Sequence, residues 1–231
     1  MPVRMAAEQP LQYVCRLGRP MRNILIIDDH AVVRDGLKRI LDEQEPGQTV
    51  FAEASTGGEA LQLVHQQHWD AAVLDLSLGS TSGLEVLKEL KQIRPKLPVL
   101  ILSMHSEEHY ARRAFKAGAA GYITKDSPRA ELVKAIAKVI EGRRYISTEL
   151  AEALISDIER GTNQAPHEAL SDREFEVLCL IASGRSVSEI AAVLSLSDKT
   201  ISTYRARILE KMAMKTNAEL THYAIHNRLV D

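Results

Sequence analysis

The chain has only two cysteines, Cys15 and Cys179. They make neither a disulfide framework nor a metal site, so a reducing cytoplasm is the expected compartment. Long apolar runs are missing as well: none approaches the ~20 residues that cross a bilayer, so no membrane partner is expected. The first twenty residues carry Arg4, Arg16 and Arg19 but lack the apolar core of a signal peptide. With Pro2, Pro10 and Pro20 they read as a loose extension, and Met21 as a candidate start. Bulk basicity is absent: the net charge is −2, so any contact with nucleic acid must rest on a local patch. There is no internal repeat and no low-complexity segment. No glycine-rich turn follows the first strand, which excludes a dinucleotide-binding oxidoreductase. What remains is 231 residues, 45% hydrophobic and 26% charged, a globular composition long enough for two domains.

The most informative pattern is a set of short apolar runs that stop at acids. Ile24–Ile27 ends at Asp28-Asp29, and Ala71–Leu74 ends at Asp75. Such runs read as buried parallel strands that deliver carboxylates to one sheet edge, where open α/β sheets bind ligands. Three acids gathered there repel one another unless a hard cation sits among them, and Mg²⁺ favours oxygen ligands. Strands are expected at Asn23–Asp28, Thr49–Ala54, Ala71–Asp75, Pro98–Ser103 and Ala120–Thr124. Amphipathic helices fit at Ala31–Asp42, Gly58–Gln67, Gly83–Ile93, Glu107–Ala117 and Pro128–Glu141. Five β-α units in regular order imply an α/β fold, a doubly wound five-stranded parallel sheet with helices on both faces.

Beyond it Thr148–Glu159 reads as a helix, and the polar stretch Gly161–Pro166 as a linker. Every later segment is helical and short. Ser171 and Glu174 form a capping box that opens Arg173–Ala182, and Gly184 stops that helix. Val187–Leu194 follows, then the brief Ser195-Leu196-Ser197 connection. Ser197 or Asp198 caps a helix to about Met212, and Asn217–Asn227 is the last. Two helices joined by so short a turn suggest helix-turn-helix.

Ile26-Ile27-Asp28-Asp29-His30, Leu74-Asp75, Leu100-Ile101-Leu102-Ser103 and Gly121-Tyr122-Ile123-Thr124-Lys125 resemble, in order and spacing, the flavodoxin-like receiver domain of two-component response regulators. The resemblance covers Met21 to about Arg144. It implies that Asp75 accepts a phosphoryl group as an aspartyl-phosphate. It further implies that Asp28, Asp29, Asp75 and the backbone carbonyl of Ser77 hold Mg²⁺, and that Lys125 and Ser103 contact the phosphoryl oxygens. Tyr122 resembles the aromatic whose rotamer follows Ser103 as that serine is drawn inward to the phosphoryl group, and Ser77 and His105 occupy positions that tune phosphoryl lifetime. One departure is Gly79, where the family usually has proline; the loop it occupies is expected to be more mobile. A phosphohydrolase of the aspartyl-phosphate type is disfavoured, because two residues beyond Asp75 stands Ser77 and two beyond Asp28 stands His30, neither of them an acid.

Leu170–Glu174, Glu176-Val177-Leu178, Glu189-Ile190-Ala191 and Leu196–Ile201 resemble the LuxR/NarL-type helix-turn-helix, covering about Ala169 to Asp231. Together the two halves resemble a NarL/FixJ-family response regulator, and Tyr204–Arg207 with Glu219–His222 resemble its GacA/UvrY group. At ~100° per residue, Ile201, Ile208 and Met212 share one helix face, with Tyr204 at its edge. The opposite face carries Lys199, Ser202, Thr203, Ala206 and Arg207 and is the one expected in the major groove. By resemblance Ser202, Thr203 and Ala206 hold base-reading positions, while Lys199, Thr200, Tyr204, Arg207 and Lys211 are candidates for phosphate contact. Arg205 lies nearer the packed face, where pairing with Glu174 or Glu176 is expected at least as much as DNA contact.

The expected organisation is an extension over 1–20, a receiver over 21–145, a linker with a helix over 146–166, and an all-α four-helix DNA-binding domain over 167–231. The expected function is not enzymatic. It is a phosphorylation-controlled bacterial transcription regulator, loaded by a sensor histidine kinase or a small phosphodonor. Its partners are double-stranded promoter DNA, RNA polymerase as a further candidate, and a second copy in a dimer formed on activation. The unphosphorylated receiver is expected to hide the groove face, and Leu220, Tyr223 and Ala224 to offer either a dimer surface or the end of the small core. The alternative is a phosphorylation-independent regulator whose receiver serves only as a dimerisation module.

Overall fold

The apolar runs form the strands they suggest. The computed structural model describes residues 21–44, 46–79, 81–104, 108–148, 150–152 and 165–230. Strands β1 (Arg22–Ile27), β2 (Thr49–Ala54), β3 (Ala71–Asp75), β6 (Val99–Ser103) and β7 (Gly121–Thr124) make one parallel sheet in the order β2-β1-β3-β6-β7. Helices α1 (Ala31–Asp42), α2 (Gly57–Gln66), α3 (Gly83–Ile93), α4 (Glu108–Lys116) and α5 (Arg129–Ile140) fill the connections. Because side chains alternate along a strand and both faces are covered, each strand feeds two cores. Leu25, Ile27, Leu74, Val99 and Ile101 pack on one side with Leu87, Leu90 and Ala111. Ile24, Ile26, Val73, Leu100 and Leu102 pack on the other with Leu37, Ile136 and Val139.

One element was not expected. The residues after Asp75 form a small antiparallel hairpin, β4 (Ser77–Leu78) with β5 (Thr81–Ser82). Gly79 takes the left-handed φ of 56° in it, a value that proline's ring forbids. The loop expected to be mobile is thus paired, and Arg173 of the C-terminal region donates a hydrogen bond of 2.8 Å to the Gly79 carbonyl.

After a one-residue bridge of Tyr145 to Gly121, residues 148 and 150–152 are helical; the rest of the helix expected over Thr148–Glu159 and most of the linker lie outside the described residues. So do the 1–20 extension, Cys15 and His105. A 3₁₀ turn, Pro166–Ala169, leads into α6 (Asp172–Ala182), α7 (Val187–Val193), α8 (Asp198–Lys211) and α9 (Asn217–His226). The Ser171–Glu174 capping box forms at α6, and a second, Ser186–Glu189, opens α7. Ser195 supplies a left-handed residue, φ 52°, for the short turn between α7 and α8. Among the described residues no helix is long and apolar enough to cross a membrane.

Candidate functional site

Strands β1 and β3 are neighbours, with Ile27 opposite Leu74, so Asp28 and Asp29, which follow β1, meet Asp75, which ends β3, at the carboxyl edge. Asp28, Asp29, His30 and Asp75 each offer a ligand atom within 4.8 Å of the others. Lys125, delivered by the end of β7, bridges two of these acids: its Nζ is 2.8 Å from Asp28 Oδ2 and 2.7 Å from Asp75 Oδ2. Asp28 Oδ1 accepts from the His30 backbone N–H at 2.8 Å, and the His30 ring lies 2.7 Å from Asp29. Sequence reasoning did not assign His30; its place directly after the acid pair was the available signal.

Asp75 is only 2% exposed, and its Oδ1 is buried with no hydrogen-bond partner. Burial pushes its pKa up, and Asp28 adds to this, against the opposing pull of Lys125 and the Ser77 backbone N–H. Burial works against the Lys125 ammonium, yet the hydrogen bonds to Asp28 and Asp75 outweigh it and raise its pKa. An orphaned buried carboxylate oxygen among hard oxygen donors fits a hydrated divalent cation such as Mg²⁺, which takes one or two carboxylates and keeps several waters. Ser103 ends β6 fully buried, and its carbonyl accepts from the Lys125 N–H at 2.7 Å. Tyr122 is buried on β7, in register with Ile101, inside the core that lies against α4.

The second candidate surface is α8. Ile201, Ile208 and Met212 are buried as its spacing predicts, and Tyr204 is half-buried at the edge. Lys199, Ser202, Thr203, Ala206 and Arg207 are exposed, while Thr200 is half-buried and its hydroxyl pairs with that of Ser197 at 2.8 Å. The Lys211 ammonium is engaged with the buried Glu174 at 2.6 Å, which holds it to the scaffold. Arg205 corrects an expectation: Lys211 takes Glu174 and Arg173 takes Glu176, so Arg205 donates instead to Asn217 Oδ1 at 2.5 Å. Leu220 and Ala224 finish the small core, and the Tyr223 hydroxyl lies 2.8 Å from His167 Nδ1; of the two readings, core completion is the one observed for the apolar pair. On the outer side of α9, Ile225 is exposed.

The receiver does pack on the helix-turn-helix, but not over the groove face. It takes the start of α6 instead, because opposite charges face each other there. Asp172 lies 2.5 Å from Lys88 and 3.2 Å from Arg113, and Glu168 faces Arg112 and Lys116. Tyr110 of α4 packs edge-on against Phe175 of α6 with ring centres 5.1 Å apart, so the apolar core runs on across the boundary.

A five-stranded parallel sheet with acids and a lysine at its carboxyl edge, joined to a four-helix unit with a tight helix-turn-helix, defines a two-component response regulator, and the chain belongs to that family. The profile described as "Response regulator receiver domain" matches residues 24–137, and "Bacterial regulatory proteins, luxR family" matches 168–224. The response regulator UvrY of Escherichia coli is 35% identical over 210 residues, covering 90% of this chain and 96% of that protein. The response regulator GacA of Pseudomonas aeruginosa is 34% identical over 212 residues, covering 91% and 99%. Among solved structures, RcsB of Salmonella enterica serovar Typhimurium, bound to a promoter in the presence of phosphomimetic BeF3−, is 25% identical with a TM-score of 0.58, covering 87% of this chain and 97% of that one.

Proposed function

We propose that Asp75 is the phosphoacceptor of this response regulator and that its phosphorylation controls dimerisation and DNA binding by the C-terminal domain. The observation that carries this is the divided Asp75 carboxylate. One oxygen is held by Lys125, and the other is buried and unpartnered beside Asp28 and Asp29. In the transfer, an Asp75 carboxylate oxygen forms a bond to phosphorus as the phosphorus–nitrogen bond of a kinase phosphohistidine breaks, and the imidazole leaves. Lys125, already within reach of Asp75, meets a phosphoryl oxygen with a compact positive charge. Ser103, at the end of the adjacent strand, donates its hydroxyl. Mg²⁺ held by Asp28, Asp29, Asp75 and the Ser77 carbonyl would offset charge on the acceptor and the phosphoryl group.

The signal leaves through α4. Ser103 and Tyr122 lie on the two strands next to this helix, and α4 carries His109, Tyr110, Arg112 and Arg113 against the DNA-binding domain. A shift of α4 therefore changes the contacts that hold the domain, biasing a two-state equilibrium rather than building a new fold. The released domain places α8 in the major groove of promoter DNA, with Lys199 and Arg207 as exposed cations, and a two-fold dimer matches paired half-sites. The DNA-bound RcsB relative supports this reading. A bacterial cytoplasm, a sensor histidine kinase partner and the domain limits 21–145 and 167–231 belong to the same reading.

The test is operator affinity at fixed salt, for wild type and Asp75→Ala, with and without acetyl phosphate and Mg²⁺. The donor should tighten wild-type binding by about tenfold, within the usual range of ~1–3 kcal/mol for coupled sites, and leave Asp75→Ala unchanged. Identical binding by both proteins in every condition would instead make the receiver a phosphorylation-independent dimerisation module.

A further inference from the structure

His30 stands at the acidic edge with no part in the phosphoryl chemistry. It is the N-cap residue of α1, with φ −92° and ψ 108°, yet its side chain makes no capping hydrogen bond. Serine, threonine, aspartate and asparagine are the side chains that serve a helix start in that position. The ring turns back over the acid pair instead: Nδ1 lies 2.7 Å from Asp29 Oδ1 and 3.3 Å from Asp28 Oδ1. Ligands bound at ~2.1 Å around an octahedral ion stand about 3 Å apart when adjacent and about 4.2 Å apart when opposite. Both ring distances match adjacent positions, and the ligand atoms of Asp28, Asp29, His30 and Asp75 all fall within 4.8 Å of one another. Asp75 Oδ1, buried and without a hydrogen-bond partner, independently calls for a ligand at the same place. Three carboxylates facing the single Lys125 ammonium leave a charge that a divalent ion cancels while the imidazole stays neutral.

We propose that His30 is a nitrogen ligand of the metal site and sets its choice of ion, favouring a divalent first-row transition ion such as Mn²⁺ over Mg²⁺. This deepens the reading of Asp28, Asp29 and Asp75 as metal ligands and rests on it. The neutral ring carries its proton on Nε2 and offers the Nδ1 lone pair to the ion. Mg²⁺ is a hard ion that holds its waters and gains little from imidazole, so an all-oxygen site treats it and Mn²⁺ nearly alike. Transition ions accept imidazole, and their affinity for such a donor rises from Mn²⁺ along the series to Cu²⁺. One nitrogen among carboxylates therefore separates ions that the carboxylates alone do not. The His30 side chain is 67% exposed, so the ring gives up little packing when it takes a ligand's place.

The experiment titrates the full chain with Mn²⁺ and follows the free ion by electron paramagnetic resonance; Mg²⁺ affinity is read from displacement of bound Mn²⁺. Wild type is compared with His30→Gln, which keeps a hydrogen-bond donor near Asp29, and with Asp75→Ala. Pulsed resonance on bound Mn²⁺, with histidine labelled in ¹⁵N, detects a coordinated ring nitrogen directly. In the expected result wild type prefers Mn²⁺ and shows the nitrogen coupling. His30→Gln then loses the coupling and on the order of tenfold in Mn²⁺ affinity, with Mg²⁺ affinity almost unchanged. Unchanged Mn²⁺ affinity in His30→Gln, or a wild type without nitrogen coupling, overturns the proposal and leaves His30 as a hydrogen-bond partner of Asp29. Equal losses for both ions also overturn it, since the ring would then act by positioning Asp29. Absence of saturable Mn²⁺ binding in wild type, or binding by Asp75→Ala as tight as wild type, defeats the reading of the acids as the metal site, and the proposal with it.

Discussion

Arg113→Ala is the perturbation that bears most directly on the domain interface. The Arg113 guanidinium donates to the carbonyls of His167 at 2.7 Å and Leu170 at 3.1 Å and to Asp172 at 3.2 Å, and it sits 4.2 Å from the centre of the Phe175 ring. A hydrogen bond to a charged donor contributes ~1.5–3 kcal/mol and a desolvated cation–π contact about 2 kcal/mol. Their simple sum overstates the loss, because the freed carbonyls and Asp172 regain water once the domains part, and Lys88 still holds Asp172. The ceiling is the docking free energy itself, and a loss of about 3 kcal/mol is expected. The chain's one tryptophan makes this measurable. Trp69 is buried in the receiver, so its fluorescence follows that domain alone, while far-UV circular dichroism follows the helices of both. In urea the two signals should coincide for wild type and separate for Arg113→Ala, with one midpoint falling on the order of 1 M or more. Coincident signals with an unmoved midpoint in the variant would refute this account of the interface.

Two further outcomes follow from groups placed beside it. Burial, with His109 adding to it, holds the His167 pKa down to about 4, below its ordinary 6.5. The open or unfolded chain therefore binds the extra proton first, so stability is full above about pH 6.5 and is lost as pH falls towards 4, by about 3 kcal/mol. Urea midpoints across that window should fall for wild type and fall less for His167→Gln; parallel slopes would remove His167 as the cause. At Gly83 a Cβ would lie 2.3 Å from the Asp75 carbonyl and 2.6 Å from the Leu76 Cα, both backbone. Gly83→Ala should cost about 3 kcal/mol and lower the melting temperature by several degrees; an unchanged melt would show that the loop after β3 yields freely.

The sheet and its acids were legible in the sequence because parallel strands buried on both faces write themselves as unbroken apolar runs. Ala71–Asp75 and Thr49–Ala54 came out with the limits expected. The Ser171–Glu174 box was legible because a cap is a local contract between residues three apart. The β4–β5 hairpin was not, since two-residue strands carry no period, and Gly79 read as a loosened proline when its left-handed backbone was the requirement. The partners of Arg205, Lys211 and Arg173 were also out of reach. Which carboxylate each cation takes depends on how helices far apart in sequence cross, and Glu174 accepts from a lysine 37 residues away. The exposure of the groove face was missed for the same reason: domain docking follows charge matches such as Lys88 with Asp172, 84 residues apart.

Lys125 joins Asp75 across 50 residues and Asp28 across 97. No fragment that ends before β7 can hold this arrangement, however well its first strands pair. During synthesis the nascent chain carries its acids long before it carries the lysine that balances them. Competence to react is therefore a late property of the chain, acquired only when the last strand closes the sheet, and it reports on the completeness of the receiver as a whole.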